Sequence, residues 1–207
     1  MSTVPVQENR TVLENVRWET YVELAEQRRG SVPRMFFDKG VLEMMSPGQQ
    51  HENIGRLIGR IVETYSEVRD IEILSVASTT FKRKKLQKAF EADESYYVTH
   101  AEQLRAKEKV DLRSDPPPDL VIEVEITSSA IKKMKLFAAM GVPEVWRHNG
   151  KHLDMFRLIE GKYESIDSSR ELPWLSPSMI DAVIGKRLQV GETRLIREFR
   201  QSLDSKS

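Results

Sequence analysis

The sequence predicts an α/β (α+β) protein folded as a single domain, and two patterns carry that expectation. Residues 119–127 alternate with period two, 129–140 has helical spacing, and 143–148 returns to an extended apolar pattern. Strand, helix and strand in that order make an α/β crossover. The second pattern runs through the rest of the chain: short strand-like runs between turn residues, with helical stripes at 50–68 and 192–203. A chain of 207 residues can bury a sizeable core without splitting, and no internal repeat or low-complexity segment divides it.

Composition narrows the classes of function. Thirty-two basic and 32 acidic residues cancel, so any contact with nucleic acid must rest on a local patch rather than a global field. The absence of cysteine excludes disulfides and thiolate zinc sites. No apolar run reaches membrane-spanning length and the N-terminus lacks a signal-peptide core, so no membrane partner is expected and the cytoplasm is the expected compartment.

Taken in order, residues 1–12 have little pattern and read as a loose arm. Trp18, Tyr21, Val22 and Ala25 give a short helix at 18–25. Apolar runs at 34–37 and 41–45 flank Asp38-Lys39-Gly40 as a hairpin. Ser46-Pro47-Gly48 then breaks the chain before the helix at 50–68, whose apolar face is built on Ile54, Leu57, Ile58, Ile61 and Val62. His51 and Glu52 lie in its first turn; taken alone, they read as a capping or surface histidine and a dipole-complementing acid. A strand is expected at 71–77. Lys82, Arg83, Lys84, Lys85 and Lys88 follow, a run that ordinarily marks a solvated loop but is also the best local candidate for phosphate contact. Residues 93–98 form another strand with an acid at its mouth, and 100–113 is polar and irregular. Beyond 148, Asn149-Gly150 reads as a two-residue hairpin turn into a strand at 153–158, Glu160-Gly161 turns the chain again, and helices at 178–184 and 192–203 close it.

The chemistry concentrates at 116–147. Pro116-Pro117-Pro118 holds the chain extended. Leu120, Ile122, Val124 and Ile126 then face one side; Asp119, Val121, Glu123, Glu125 and Thr127 face the other. Same-face neighbours stand roughly 6.5 to 7 Å apart, so their side chains can converge on a metal ion or a water. A solvated strand face can carry acids too, but without interspersed lysine these carboxylates repel unless a cation joins them. Ser128-Ser129 offers an N-cap for the helix at 129–140, which Gly141 ends. Lys132, Lys133 and Lys135 fall in its first turns. Solvent is the ordinary place for any of them; Lys133, one turn before Phe137 beside the apolar stripe, can lean over the strand.

The middle of the chain reads helix (50–68), strand (71–77), strand (93–98), strand (119–127), helix (129–140) and strand (143–148), and five segments in it belong together: Ser46-Pro47 with His51; Glu91-Ala92-Asp93-Glu94-Ser95-Tyr96-Tyr97; Pro116-Pro117-Pro118-Asp119 through Glu123; Lys133 with Phe137; and Gly141-Val142-Pro143-Glu144-Val145-Trp146-Arg147. Together they resemble the core of the PD-(D/E)XK nuclease superfamily. More closely, they resemble the Uma-type restriction-endonuclease-like family, abundant in cyanobacteria. The resemblance covers about 36–158 and reaches loosely into a C-terminal helical extension at 174–204. It implies a restriction-endonuclease-like core, a central mixed sheet flanked by helices, with an N-terminal hairpin and C-terminal helices.

The resemblance also implies a phosphodiesterase site that takes Mg²⁺ (or Mn²⁺), with DNA as the partner. Asp93 and Glu123 match the signature's acids and would hold the metal through hard oxygen ligands. Glu125 stands where the signature has its lysine; in the family that lysine usually comes from the following helix four residues before an aromatic, as Lys133 does before Phe137. Ala92-Asp93 replaces Pro-Asp, which keeps the acid. Glu52 would add a metal ligand and His51 would orient a water, whereas Asp119 either joins the acidic face or supports the start of its strand. A homodimer would serve a double-strand cut, since one site cuts one strand. The alternative is a catalytically inactive nucleic-acid- or partner-binding protein on the same fold.

Overall fold

A computed structural model describes residues 8–204. In chain order its elements are β1 (Asn9–Leu13), α1 (Trp18–Gln27), β2 (Arg34–Asp38), β3 (Val41–Ser46), α2 (Gln49–Arg69), β4 (Leu74–Ser75), β5 (Phe81–Arg83), β6 (Lys88–Phe90), β7 (Glu94–Tyr97), α3 (Ala101–Leu104), β8 (Leu120–Val124), α4 (Lys133–Met140), β9 (Glu144–His148), β10 (Leu153–Ile159), β11 (Lys162–Ile166), α5 (Pro177–Ile184) and α6 (Glu192–Asp204). They build two sheets, in strand order β1-β3-β2-β6-β5 and β11-β10-β9-β8-β7-β4. The second sheet is mixed: β8 and β9 run parallel through the α4 crossover, and its other neighbours are antiparallel.

The period-two pattern of β8 decides which helix covers which face. Leu120, Ile122 and Val124 join Ile54, Leu57, Ile58 and Ile61 of α2 in one buried cluster, to which α5 and α6 add Ile180, Leu195 and Phe199. Val121 points the other way, into a cluster with Leu136, Phe137 and Met140 of α4 and with Phe36 and Phe90 of the first sheet. A chain with both faces of β8 covered buries all five residues of that strand. Glu123 is therefore a carboxylate inside the molecule, and burial without partners would cost it dearly.

Several sequence expectations hold element for element: α1, the β2–β3 hairpin, α2, and the two closing helices fall where the spacing put them. Lys39 and Gly40 both take positive φ, 47° and 93°, as a tight hairpin turn requires. Others are corrected. The loose arm expected at 1–12 lies outside the described residues up to residue 7, but from Asn9 it is β1, paired along β3. The strand at 119–127 stops at Val124, and Glu125 and Thr127 lie past its end while still lining one cleft with Glu123. The helix expected from Ser129 begins at Lys133 without a side-chain cap, because the Ser129 hydroxyl donates instead to the buried Glu43 carboxylate, 2.9 and 3.0 Å to its two oxygens. The Ala130 N–H, at 2.7 Å, joins it there, and the segment is held as a loop. The strand at 71–77 shrinks to two residues, and 100–113 contains the helical turn α3. The basic run is no solvated loop: β5 and β6 pair across a 3₁₀ turn, with Phe81 opposite Phe90. Asn149-Gly150 does turn the chain, but as part of a four-residue connection in which Asn149 Oδ1 accepts the N–H groups of Lys151 and His152. Among the described residues no helix is long and apolar enough to cross a membrane.

Candidate metal and phosphodiester site

Asp93 precedes β7 by one residue, and the register that pairs Glu94 with Ile122 carries it across from Glu123. Its Oδ2 accepts the N–H of Val124 at 2.6 Å, which fixes the carboxylate against the end of β8. Its Oδ1 receives Arg34 Nη1 at 2.6 Å and His51 Nε2 at 2.8 Å. His51 lies between two carboxylates, since its Nδ1 is 2.6 Å from Glu8 Oε1. An imidazolium can donate to both at once. Arg34 extends the network, its Nη2 lying 3.0 Å from Glu52 Oε1.

Among the described residues Glu123 meets a single cation directly. Lys133 Nζ donates to Glu123 Oε2 at 2.6 Å and stands 3.9 Å from the centre of the Phe36 ring. Both partners are almost wholly buried, at 2% and 4% exposure. The first residue of α4 can reach β8 because that helix packs over the strand through Phe137, one turn on. Glu123 Oε1 is buried and has no hydrogen-bond partner among the described residues, a costly condition for a carboxylate oxygen.

The environment pushes the two acids apart. Burial raises Asp93, but the His51 hydrogen bond and the charges of Arg34, His51 and Lys133 outweigh it and hold this carboxyl below its ordinary range. For Glu123 burial prevails and raises the carboxyl, with Lys133 opposing and the like charge of Asp93 reinforcing. Burial lowers His51, yet hydrogen bonds and charges from Asp93 and Glu8 carry it above its usual value. The neighbouring Glu94 is raised to about 7 by burial, against the pull of Arg56.

These residues can accept a hard divalent cation. Glu123 supplies an unpartnered oxygen and Asp93 a carboxylate held ionised, and Mg²⁺ is commonly held by one or two carboxylates with waters and substrate phosphate completing its shell. The site is not a ready-made cage, because among the described residues no three His, Asp or Glu side chains surround one point.

The other sequence candidates are placed differently. Glu52 is half exposed, pairs with Arg34, and lines a small pocket with His51 and Asp93. Glu125 lines the cleft next to Glu123. Asp119 accepts the N–H groups of Val98 and His100 at 2.9 Å each and His100 Nδ1 at 2.6 Å, so it ties down the strand start and is no part of the cluster. In the basic run, Lys82 pairs with Glu26 at 3.2 Å, Lys84 with Glu19 at 3.1 Å and Lys88 with Asp38. Sequence reasoning missed Arg34 and Glu8. A charged residue opening the otherwise apolar Arg34-Met35-Phe36-Phe37 strand was a signal for the first; nothing local marked the second.

Comparison with known proteins adds the family. The Uma2 family, described as "Putative restriction endonuclease", matches residues 18–183, a span that includes Arg34, His51, Asp93, Glu123 and Lys133. The chain belongs to this family. A crystal structure from Anabaena variabilis, described as "a putative nuclease belonging to DUF820", superposes with a TM-score of 0.59 at 12% identity, covering 82% of this chain and 99% of that one. Identity that low speaks for the fold alone. No curated protein matches the chain in sequence.

Proposed function

We propose that this chain is a divalent-metal-dependent endonuclease of the PD-(D/E)XK type, hydrolysing phosphodiester bonds of DNA. One observation carries the reading. Glu123 commits one oxygen to Lys133 and keeps the other buried and unpartnered at the wall of a cleft, across from an ionised Asp93. An arrangement built for stability alone would satisfy that oxygen.

Asp93 and Glu123 would hold Mg²⁺ or Mn²⁺, which when bound polarises a phosphate and lowers the pKa of a bound water. Arg34 and His51 keep Asp93 anionic and aimed, and the Val124 N–H locks its second oxygen. Lys133 places a fixed positive charge beside the reacting phosphate, where charge builds in the transition state. Phe36 and Phe137 keep water from its stem.

A binding-only protein is the second reading, and a specific observation favours it: Arg34, His51 and Lys133 already neutralise both acids within the chain. Nicking of supercoiled plasmid with Mg²⁺ or Mn²⁺ separates the two. Cleavage by the wild type that EDTA stops and Glu123→Gln lowers by about 10²- to 10³-fold is the expected result. A folded wild type that binds plasmid yet never cuts it, with either metal, leaves the binding reading in place.

A further inference from the structure

A cleft of about 580 Å³ opens beside Glu123, between the loop at 126–129 and the first turn of α4. Lys132, Lys135 and Arg147 all line it. Arg147 is no incidental rim residue. The parallel register of β8 and β9 sets it directly opposite Glu123, on the same face of the sheet. Its Nε is buried without a hydrogen-bond partner among the described residues. Its other contacts are loose: Nη2 lies 3.8 Å from Asp154, and the guanidinium stands 5.7 Å from the centre of the Phe156 ring. Lys132 and Lys135 form no ion pair among the described residues, whereas three cations of the 82–88 run are already paired. One cleft thus holds an unsatisfied carboxylate oxygen and an unsatisfied guanidinium donor on adjacent strands.

We propose that Arg147 holds a phosphodiester flanking the scissile one, with Lys132 and Lys135 completing the anion subsite in the same cleft. The nucleic-acid strand would then run along β9 past Glu123, and the 82–88 run would not touch it. The inference rests on the nuclease reading of the same site. A planar fork of donors suits a phosphate better than a point charge does, and a phosphate would satisfy the stranded Nε.

The test is anisotropy titration of a fluorescent DNA duplex in EDTA across a salt series, which reads binding without cleavage. Arg147→Met keeps the apolar stem over Phe156 and removes the charge. Its affinity at low salt should fall about tenfold, and its log–log salt slope should shrink by about 0.9, the loss of one phosphate contact. Asp154→Asn disturbs the same β9–β10 pair but frees the guanidinium, so its slope should hold or steepen. A purely structural Arg147 predicts that both variants weaken binding alike at an unchanged slope, and that outcome overturns the phosphate role. A wild type that cuts DNA while Arg147→Met keeps the wild-type slope removes the subsite and spares the nuclease reading. A wild type that never cuts, with the slope still reduced in Arg147→Met, removes the nuclease reading and the flanking position with it, and leaves Arg147 as a phosphate contact of a DNA-binding protein. No binding of DNA by the wild type overturns both.

Discussion

Replacing Asp93 with asparagine tests the electrostatic frame of the site before any chemistry. The carboxylate receives three donors, from Arg34, His51 and the Val124 N–H, within 2.6 to 2.8 Å. An amide keeps one acceptor and turns an N–H₂ group toward donors. Breaking a buried pair by removing one partner costs about 3–5 kcal/mol. Arg34 retains Glu52 at 3.0 Å, but that carboxylate is half exposed, so the lower end of the range applies, about 3 kcal/mol. For a chain of this size the melting point should fall by roughly 6 to 12 °C.

The loss has a pH signature. Asp93 is depressed in the folded state, so its contribution is present above its ordinary 3.8 and disappears as pH falls through the folded value. His51 is raised, partly by Asp93, so that share is present below 6.5 and fades as pH climbs through the folded value. The gap between wild type and Asp93→Asn should therefore be widest between about pH 4 and 6.5 and narrow on both sides. Urea unfolding followed by circular dichroism at pH 3, 5.5 and 8 reads it. Equal gaps at all three values would refute the linkage, and no gap at pH 5.5 would refute the buried network itself. Pairing Asp93→Asn with Arg34→Met should recover part of the loss, because no guanidinium is then stranded.

Two further outcomes follow from the same sheet. Glu94 titrates near 7 in the folded chain against an ordinary 4.5, so its ionisation costs stability increasingly as pH rises through that interval. Glu94→Gln should match the wild type near pH 5 and exceed it by on the order of 1–3 kcal/mol at pH 8; a pH-independent difference would remove the effect from Glu94. On α2, a methyl group at Gly55 meets Val124 and Asp93 at ordinary distances of 3.7 and 3.8 Å, whereas at Gly59 it meets the Tyr96 hydroxyl at 3.0 Å and Glu94 at 3.1 Å. Gly55→Ala should stabilise the helix by about 0.5–1 kcal/mol and Gly59→Ala should lower the melting point; the reverse order would show that the sheet yields where α2 crosses it.

The sequence made the period of β8 and the stripe of α2 visible because each is a local repeat that one buried face imposes. Lys133 was legible for the same reason, since its spacing to Phe137 places it over the strand on any helix that packs there. What escaped was set by distant partners. Ser129 looked like a helix cap until Glu43, 86 residues earlier in the chain, took its hydroxyl. The basic run looked free because nothing near it in sequence announces Glu19, Glu26 or Asp38 as its partners. Arg34 and Glu8 reach Asp93 and His51 only through the pairing of the first sheet and its edge strand β1. Arg147 had no signal beyond its charge, and its meaning comes from standing opposite Glu123.

Calorimetric titration of the purified protein with Mn²⁺ addresses the pairing of Asp93 and Glu123 most directly. A single site in the wild type, lost on Glu123→Gln and again on Asp93→Asn while both variants stay folded, is the result expected if the two acids share one cation. Heat of binding that survives both substitutions, or a wild type that takes up no Mn²⁺, would mean that Arg34, His51 and Lys133 are the only cations those carboxylates were built to hold.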